Sequence, residues 1–147
     1  MIHEEMHAVM PPNEMIEMFT LKMESNQPVE TISKRVPALC ETHKFALLNT
    51  YNYHEIVESK GFPIKRKVFI YEICQARVAS KMLTTNPEFS IFMPCKIALY
   101  EHEGKSVIAT MNMEILLKAV EENRDLYIEA MALFNNLKLL LHSLKNG

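Results

Sequence analysis

The stretch from Leu126 to Leu144, LYIEAMALFNNLKLLLHSL, most constrains what this chain can fold into. No glycine or proline interrupts it, and leucine, methionine and alanine are strong helix formers. Leu126, Ala130, Leu133/Phe134, Leu137, Leu141 and Leu144 recur at helical spacing as one apolar stripe. Ile128, Met131, Leu139 and Leu140 fall partly off that stripe. A helix that is apolar beyond one face is buried on more than one side. Either it is central in its own domain, or a second copy of the chain covers it. A homodimer, paired through this helix or through a sheet, is therefore expected.

Upstream, the apolar pattern changes period. Met15 to Ser25 (MIEMFTLKMES) alternates in part, with Phe19, Leu21 and Met23 on one side, and predicts a first strand. Ser25-Asn26 offers helix caps, and a helix is expected from about Pro28 to His43, broken or kinked at Pro37. Phe45–Thr50 predicts a second strand. Tyr51–Lys60 fits either a short helix or an irregular connection. VFIYEI, Val68 to Ile73, is a near-continuous run of β-formers, the pattern of a central strand. Cys74-Gln75 opens a helix that stops before Asn86-Pro87. Ser90–Met111 then predicts a hairpin turning at Glu101-His102-Glu103-Gly104, and Asn112 a helix cap. The order is β-α-β-(α)-β-α-β-β-α, an α/β sandwich with a mixed sheet covered by helices. Residues 1–14 are expected to be an arm and residues 15–147 a single domain.

The bulk properties exclude several classes. The 147 residues carry a net charge of −2 with only one basic cluster, Lys65-Arg66-Lys67, so nothing points to nucleic acid. No apolar run is long enough to span a bilayer, and the acidic, Pro11-Pro12-broken opening does not resemble a signal peptide. Cys40, Cys74 and Cys95 are odd in number and widely spaced, unlike a secreted disulfide framework. A reducing, cytoplasmic setting is the expectation. Three glycines could hardly build a phosphate-binding or nucleophile-elbow loop, and no such motif occurs. No residue set marks an enzyme, and the balance leans away from one.

Three groups of residues remain as candidates for chemistry. Cys74 lies where a strand feeds a helix, and amides at a helix N-terminus favour a thiolate. Pro94-Cys95 stands at a strand entrance or bulge, where proline is tolerated. Cys95 shares a strand face with Ile97 and Leu99. If the two cysteine-bearing strands ran parallel through a helical crossover, the thiols would lie too far apart to bridge. His54 sits in a polar stretch, and with either cysteine it offers a soft His/Cys set suited to a transition metal or haem iron. In the arm, His3, Met6, His7 and Met10 would share a helix face as a second soft site.

The segment VFIYEICQARVASKMLTTNPEFSIFMPCKIALYEHEGKSVIATMNMEILLKAV, residues 68–120, resembles the family known as domain of unknown function 302. That family shows a strand ending in Gly-Ala-Cys-Asn-Pro, then a helix, a proline, a Leu-Pro-Cys strand and Tyr-Glu before a hairpin turn. Here Cys74, Pro87, Pro94-Cys95 and Tyr100-Glu101 stand at those places, and residues 19–50 fit the opening strand, helix and strand. His54 falls near an Asp-His of some relatives. Glu72-Ile73 replaces Gly-Ala and Gln75-Ala76 replaces Asn-Pro, which alters the turn after Cys74. The resemblance implies a compact α/β fold and homodimers, and no agreed activity.

The resulting expectation is a homodimeric binding protein for a soft metal, haem or another small ligand. His54, Cys74 and Cys95 would hold the ligand, and Phe92, Met93 and Pro94 would shape the pocket. A thiol protein handling sulfur or redox equivalents through Cys74 is the alternative, and an interaction module without chemistry is the third reading.

Overall fold

The computed structural model describes residues 10–147. A short helix, α1 (Pro12–Phe19), leads into β1 (Thr20–Ser25), followed by α2 (Val29–Thr42), β2 (Ala46–Asn52) and α3 (Tyr53–Ser59). Then come β3 (Val68–Cys74), α4 (Ala76–Thr85), a 3₁₀ segment (Pro87–Phe92), β4 (Cys95–His102) and β5 (Lys105–Met111). The chain ends with α5 (Glu114–Leu117), a 3₁₀ turn (Lys118–Val120) and α6 (Arg124–Asn146). The α/β architecture and the long C-terminal helix agree with the sequence pattern.

The five strands form one sheet in the order β1-β5-β4-β3-β2. Every neighbouring pair is antiparallel. The mixed sheet expected from sequence is thus corrected. A helical connection permits a parallel neighbour but does not impose one, and here β4 returns alongside β3 in the opposite direction. β3 is an interior strand, but β4 is the middle one. The β3 run looks continuous because Val68 and Ile70 are apolar too. Only alternate residues, Phe69, Tyr71 and Ile73, are buried.

Those three side chains, with Ile97 and Leu99 of β4 and Ile108 of β5, make the sheet's core face. α6 and α2 cover it. Leu126, Ala130, Phe134, Leu137, Leu140, Leu141 and Leu144 of α6 are buried, so its stripe is filled within this one chain. Ile128 and Leu139 remain more than half exposed on its outer side. α2 contributes Val29, Ile32, Val36 and Cys40, and runs through Pro37 as a single helix. Pro37 is exposed, so the carbonyl it leaves unpaired can meet water.

Local chemistry fixes the ends of the elements. Asn123 Oδ1 accepts from the Leu126 amide at the start of α6, and Asn112 Oδ1 accepts from the Glu114 amide at α5. Glu103 and Gly104 both have positive φ, the geometry of a two-residue hairpin turn matched to strand twist. Two boundaries depart from expectation. The hairpin expected from Ser90 begins only at Cys95, because the 3₁₀ segment holds Pro87–Phe92. Met15–Phe19 is helical, and β1 begins only at Thr20. Pro11-Pro12 presets the first helical turn, and the Thr20 hydroxyl donates back to the Ile16 carbonyl at 2.8 Å. The helix therefore crosses the expected arm boundary at residue 14. His3, Met6 and His7 lie outside the described residues, so only Met10 of the proposed second site is within them.

Tyr71 yields a pH prediction. It is 2% exposed. Burial pushes its phenol from 10.0 up to about 12. The unfolded chain therefore ionises at lower pH than the native one, and the native state loses stability as pH rises between those two values. Tyr71→Phe is expected to flatten that alkaline loss in chemical denaturation. An unchanged slope would show that Tyr71 does not carry it.

Candidate functional site

At one end of the sheet, β3 finishes and β4 begins. Ile73 pairs with Cys95, so Cys74 lies one step out of register from Cys95 on the neighbouring strand. From sheet spacing and rise, their Cα atoms are roughly 6 Å apart, but the one-residue offset turns strand side chains to opposite faces, which disfavours a bridge. The antiparallel pairing brings the two cysteines closer than parallel strands would. Both thiols are free here.

The segment between the two cysteines builds a hollow. Gln75 caps α4 by accepting from the Val78 amide at 2.9 Å. α4 then turns Val78 and Met82 inward. The 3₁₀ segment brings Phe89 and Phe92 together edge to face, with centroids 6.5 Å apart. Met93 and Pro94 lead back into Cys95. On the far side stand Ala130, Leu133, Phe134 and Leu137 of α6, with Met113 before α5 and Leu117 within it. Phe45 and Ile73 lie beneath.

The cavity is partly open and has a volume of about 250 Å³. Among the described residues its lining contains no aspartate, glutamate, lysine, arginine or histidine; Gln75 is the only amide side chain among them, and it is already engaged as the α4 cap. Ala130 explains why space exists there. It is a methyl group on a stripe otherwise made of leucine and phenylalanine. Phe92, Met93, Pro94, Cys74 and Cys95 all line the cavity. Burial pushes the Cys95 thiol up, and the nearby Cys74 adds to the effect. Cys40 is 1% exposed in the core, away from the cavity, and is also pushed up by burial.

His54 is not part of this site. It stands in the first turn of α3, its ring edge against Phe69 at 5.2 Å between centroids. Its Nδ1 lies 3.0 Å from the Val68 amide nitrogen and 3.1 Å from the Val68 carbonyl oxygen. Val68 and Cys74 are opposite ends of β3, roughly 20 Å apart at strand rise. The structure therefore brings the two cysteines together and leaves His54 at the other end. Among the described residues no group of three His, Cys, Asp or Glu side chains is placed to hold a metal ion.

Other expected features take ordinary roles. Glu101 accepts from the Lys67 amide at 2.7 Å, and Lys67 pairs with Glu30 across the surface. Among the described residues no helix is long and apolar enough to cross a membrane. Met82, Met113, Ala130, Leu133, Phe134 and Leu137 escaped the sequence reading as site residues. The one available signal was Ala130, a small residue at a position where the α6 stripe elsewhere carries large ones.

The fold and hollow define a class: a two-layer α/β domain with one antiparallel sheet and an apolar cavity under its C-terminal helix. The model of the family described as Domain of unknown function DUF302 matches residues 21–144, and the chain belongs to that family. The crystal structure of an uncharacterized conserved DUF302 protein from Bacillus stearothermophilus is similar, with a TM-score of 0.69 and 19% identity over 88% of this chain and 97% of that one. At that identity the likeness establishes the fold. No curated protein matches the chain.

Cys40 is buried, whereas Cys74 and Cys95 are half-buried. In Cys74→Ser, alkylation by iodoacetamide at pH 8 is expected to fall to less than about a tenth of the parent rate, because desolvation pushes the Cys95 and Cys40 thiols up and leaves little thiolate. Rapid labelling of Cys95 in that variant would contradict this.

Proposed function

We propose that the chain is a binding protein for an uncharged apolar group, which it holds in the hollow between α4, α5 and α6. The supporting observation is the cavity itself. Its walls offer almost nothing but hydrocarbon, aromatic rings and sulfur, and its described lining holds no charged side chain. A ligand burying about 200 Å² of apolar surface there gains about 5 kcal/mol by transfer, before the cost of association. Methionine suits such a wall, because Met82, Met93 and Met113 can repack around different shapes.

Haem fits this site poorly. It would bring two carboxylates to a cavity whose lining holds no cation, and His54 stands too far away to bind its iron. The thiols are better read as part of the wall. A homodimer belongs to the proposal, supported by Ile128 and Leu139. They lie eleven residues apart, close to three helical turns, and so share the outer stripe of α6. Light scattering is expected to give twice the 17.0 kDa chain mass, and Leu139→Glu to give the monomer. A parent chain that is monomeric at micromolar concentration would overturn the pairing.

Ala130→Trp tests the cavity. The neutral fluorophore N-phenyl-1-naphthylamine is expected to bind the parent with micromolar affinity and the variant at least tenfold more weakly, while both give the same circular dichroism spectrum. Absence of binding to the parent, or equal binding by a folded variant, would sink the reading.

A further inference from the structure

We propose that the cavity continues outward into a second hollow, and that the two together take a long-chain carboxylate, with Lys96 seating its charged end. This deepens the reading of the interior cavity as an apolar site and rests on it.

The second hollow is a groove of about 490 Å³ between α1, the 3₁₀ segment and the end of the sheet. Phe92, Pro94, Cys95, Met113 and Leu137 line both spaces. They are therefore two sides of one thin partition. Its members are mostly unbranched or aromatic side chains that move by rotation about their own χ bonds. From this partition the groove runs round the start of β4 to Ala98 and Ala109, on the sheet face that α2 and α6 leave uncovered. Met15, Ile16 and Phe19 of α1 form its outer bank, all at least 40% exposed, and Ile91 on the 3₁₀ segment is 80% exposed. An exposed row of this kind covers a chain better than it covers nothing.

Charge then selects the kind of chain. Among the described residues Lys96 is the only charged one lining the groove. Its cross-strand neighbour is Glu72, whose Oε1 accepts from the Tyr51 hydroxyl at 2.8 Å and from Asn49 Nδ2 at 3.2 Å on β2. Among the described residues Lys96 makes no ion pair. One ammonium without an ion pair among the described residues, at the start of β4 beside the partition, fits an amphiphile with one negative end. The interior has no charged lining residue, so the tail goes in first and the carboxylate stays at the surface. A neutral amphiphile of equal length fits the path but gains nothing at Lys96. A short carboxylate can reach Lys96 but buries less of its tail in the cavity.

Displacement of N-phenyl-1-naphthylamine from the full chain tests this. Palmitate is expected to displace the probe at least tenfold more effectively than octanoate or 1-hexadecanol. Lys96→Glu is expected to abolish the advantage of palmitate over 1-hexadecanol and to leave the affinity of the probe unchanged. If the probe binds but palmitate shows no advantage, or keeps it in Lys96→Glu, the channel proposal falls and the interior site stands. If the probe itself fails to bind, the reading beneath it fails as well. Ile91→Asp adds a control for a different occupant. Conversion of a dimer to a monomer with palmitate binding unchanged would assign the groove to a second copy and overturn the proposal.

Discussion

The packing of α6 against one face of an antiparallel sheet is the interaction on which the rest of the structure depends. Leu140, Leu141 and Leu144 have no measurable exposure, and each such leucine contributes about 1.5–3 kcal/mol by burial. The far end of the helix is tied down by polar contacts. Arg35 of α2 donates to the Leu144 carbonyl, and Ser25 of β1 donates to that of Lys145 at 3.4 Å. These bonds satisfy carbonyls that a helix C-terminus otherwise leaves unpaired. His43 stands between Asn136 and Ser143, at 3.1 and 3.3 Å, and locks the end of α2 to the same helix. With one end pinned, the register of α6 over β3 and β4 is fixed, and so is the position of Ala130 above the cavity.

Much of this fold was legible because its periodicities were strong. The stripe from Leu126 to Leu144 is buried along the positions its spacing predicted, and the hairpin turn falls at Glu103-Gly104. Strand direction was not legible. Residues 68–74 and 95–102 read as strands separated by a helix, and that pattern is compatible with either a parallel or an antiparallel return. α1 was misread for a related reason. Met15, Phe19, Leu21 and Met23 mix both periods within nine residues, and proline at the first turn decided the outcome locally.

The candidate site was half legible. Phe92, Met93, Pro94 and the two cysteines were found because proline and cysteine stand out inside an apolar run. The other wall was hidden in the C-terminal helix, some forty residues further on, where leucine and phenylalanine look like ordinary core. No pattern in one segment announces that a distant segment will leave a gap opposite it. His54 failed for the converse reason. Its residue type suggested a ligand, but the register of β3 places it at the wrong end of the strand, where Val68 already meets its Nδ1.

α6 serves two purposes with one set of side chains. Phe134 and Leu137 belong to the hydrophobic core and also form the cavity wall. Filling the cavity and holding the helix in place are therefore coupled through thermodynamic linkage. An occupant present at a hundredfold excess over its dissociation constant would add about 2.7 kcal/mol to the unfolding free energy. Much of that would fall on α6, whose loosening would open the cavity. The helix that closes the domain is in this sense a reporter of what the domain contains, and its resistance to hydrogen exchange would rise and fall with occupancy.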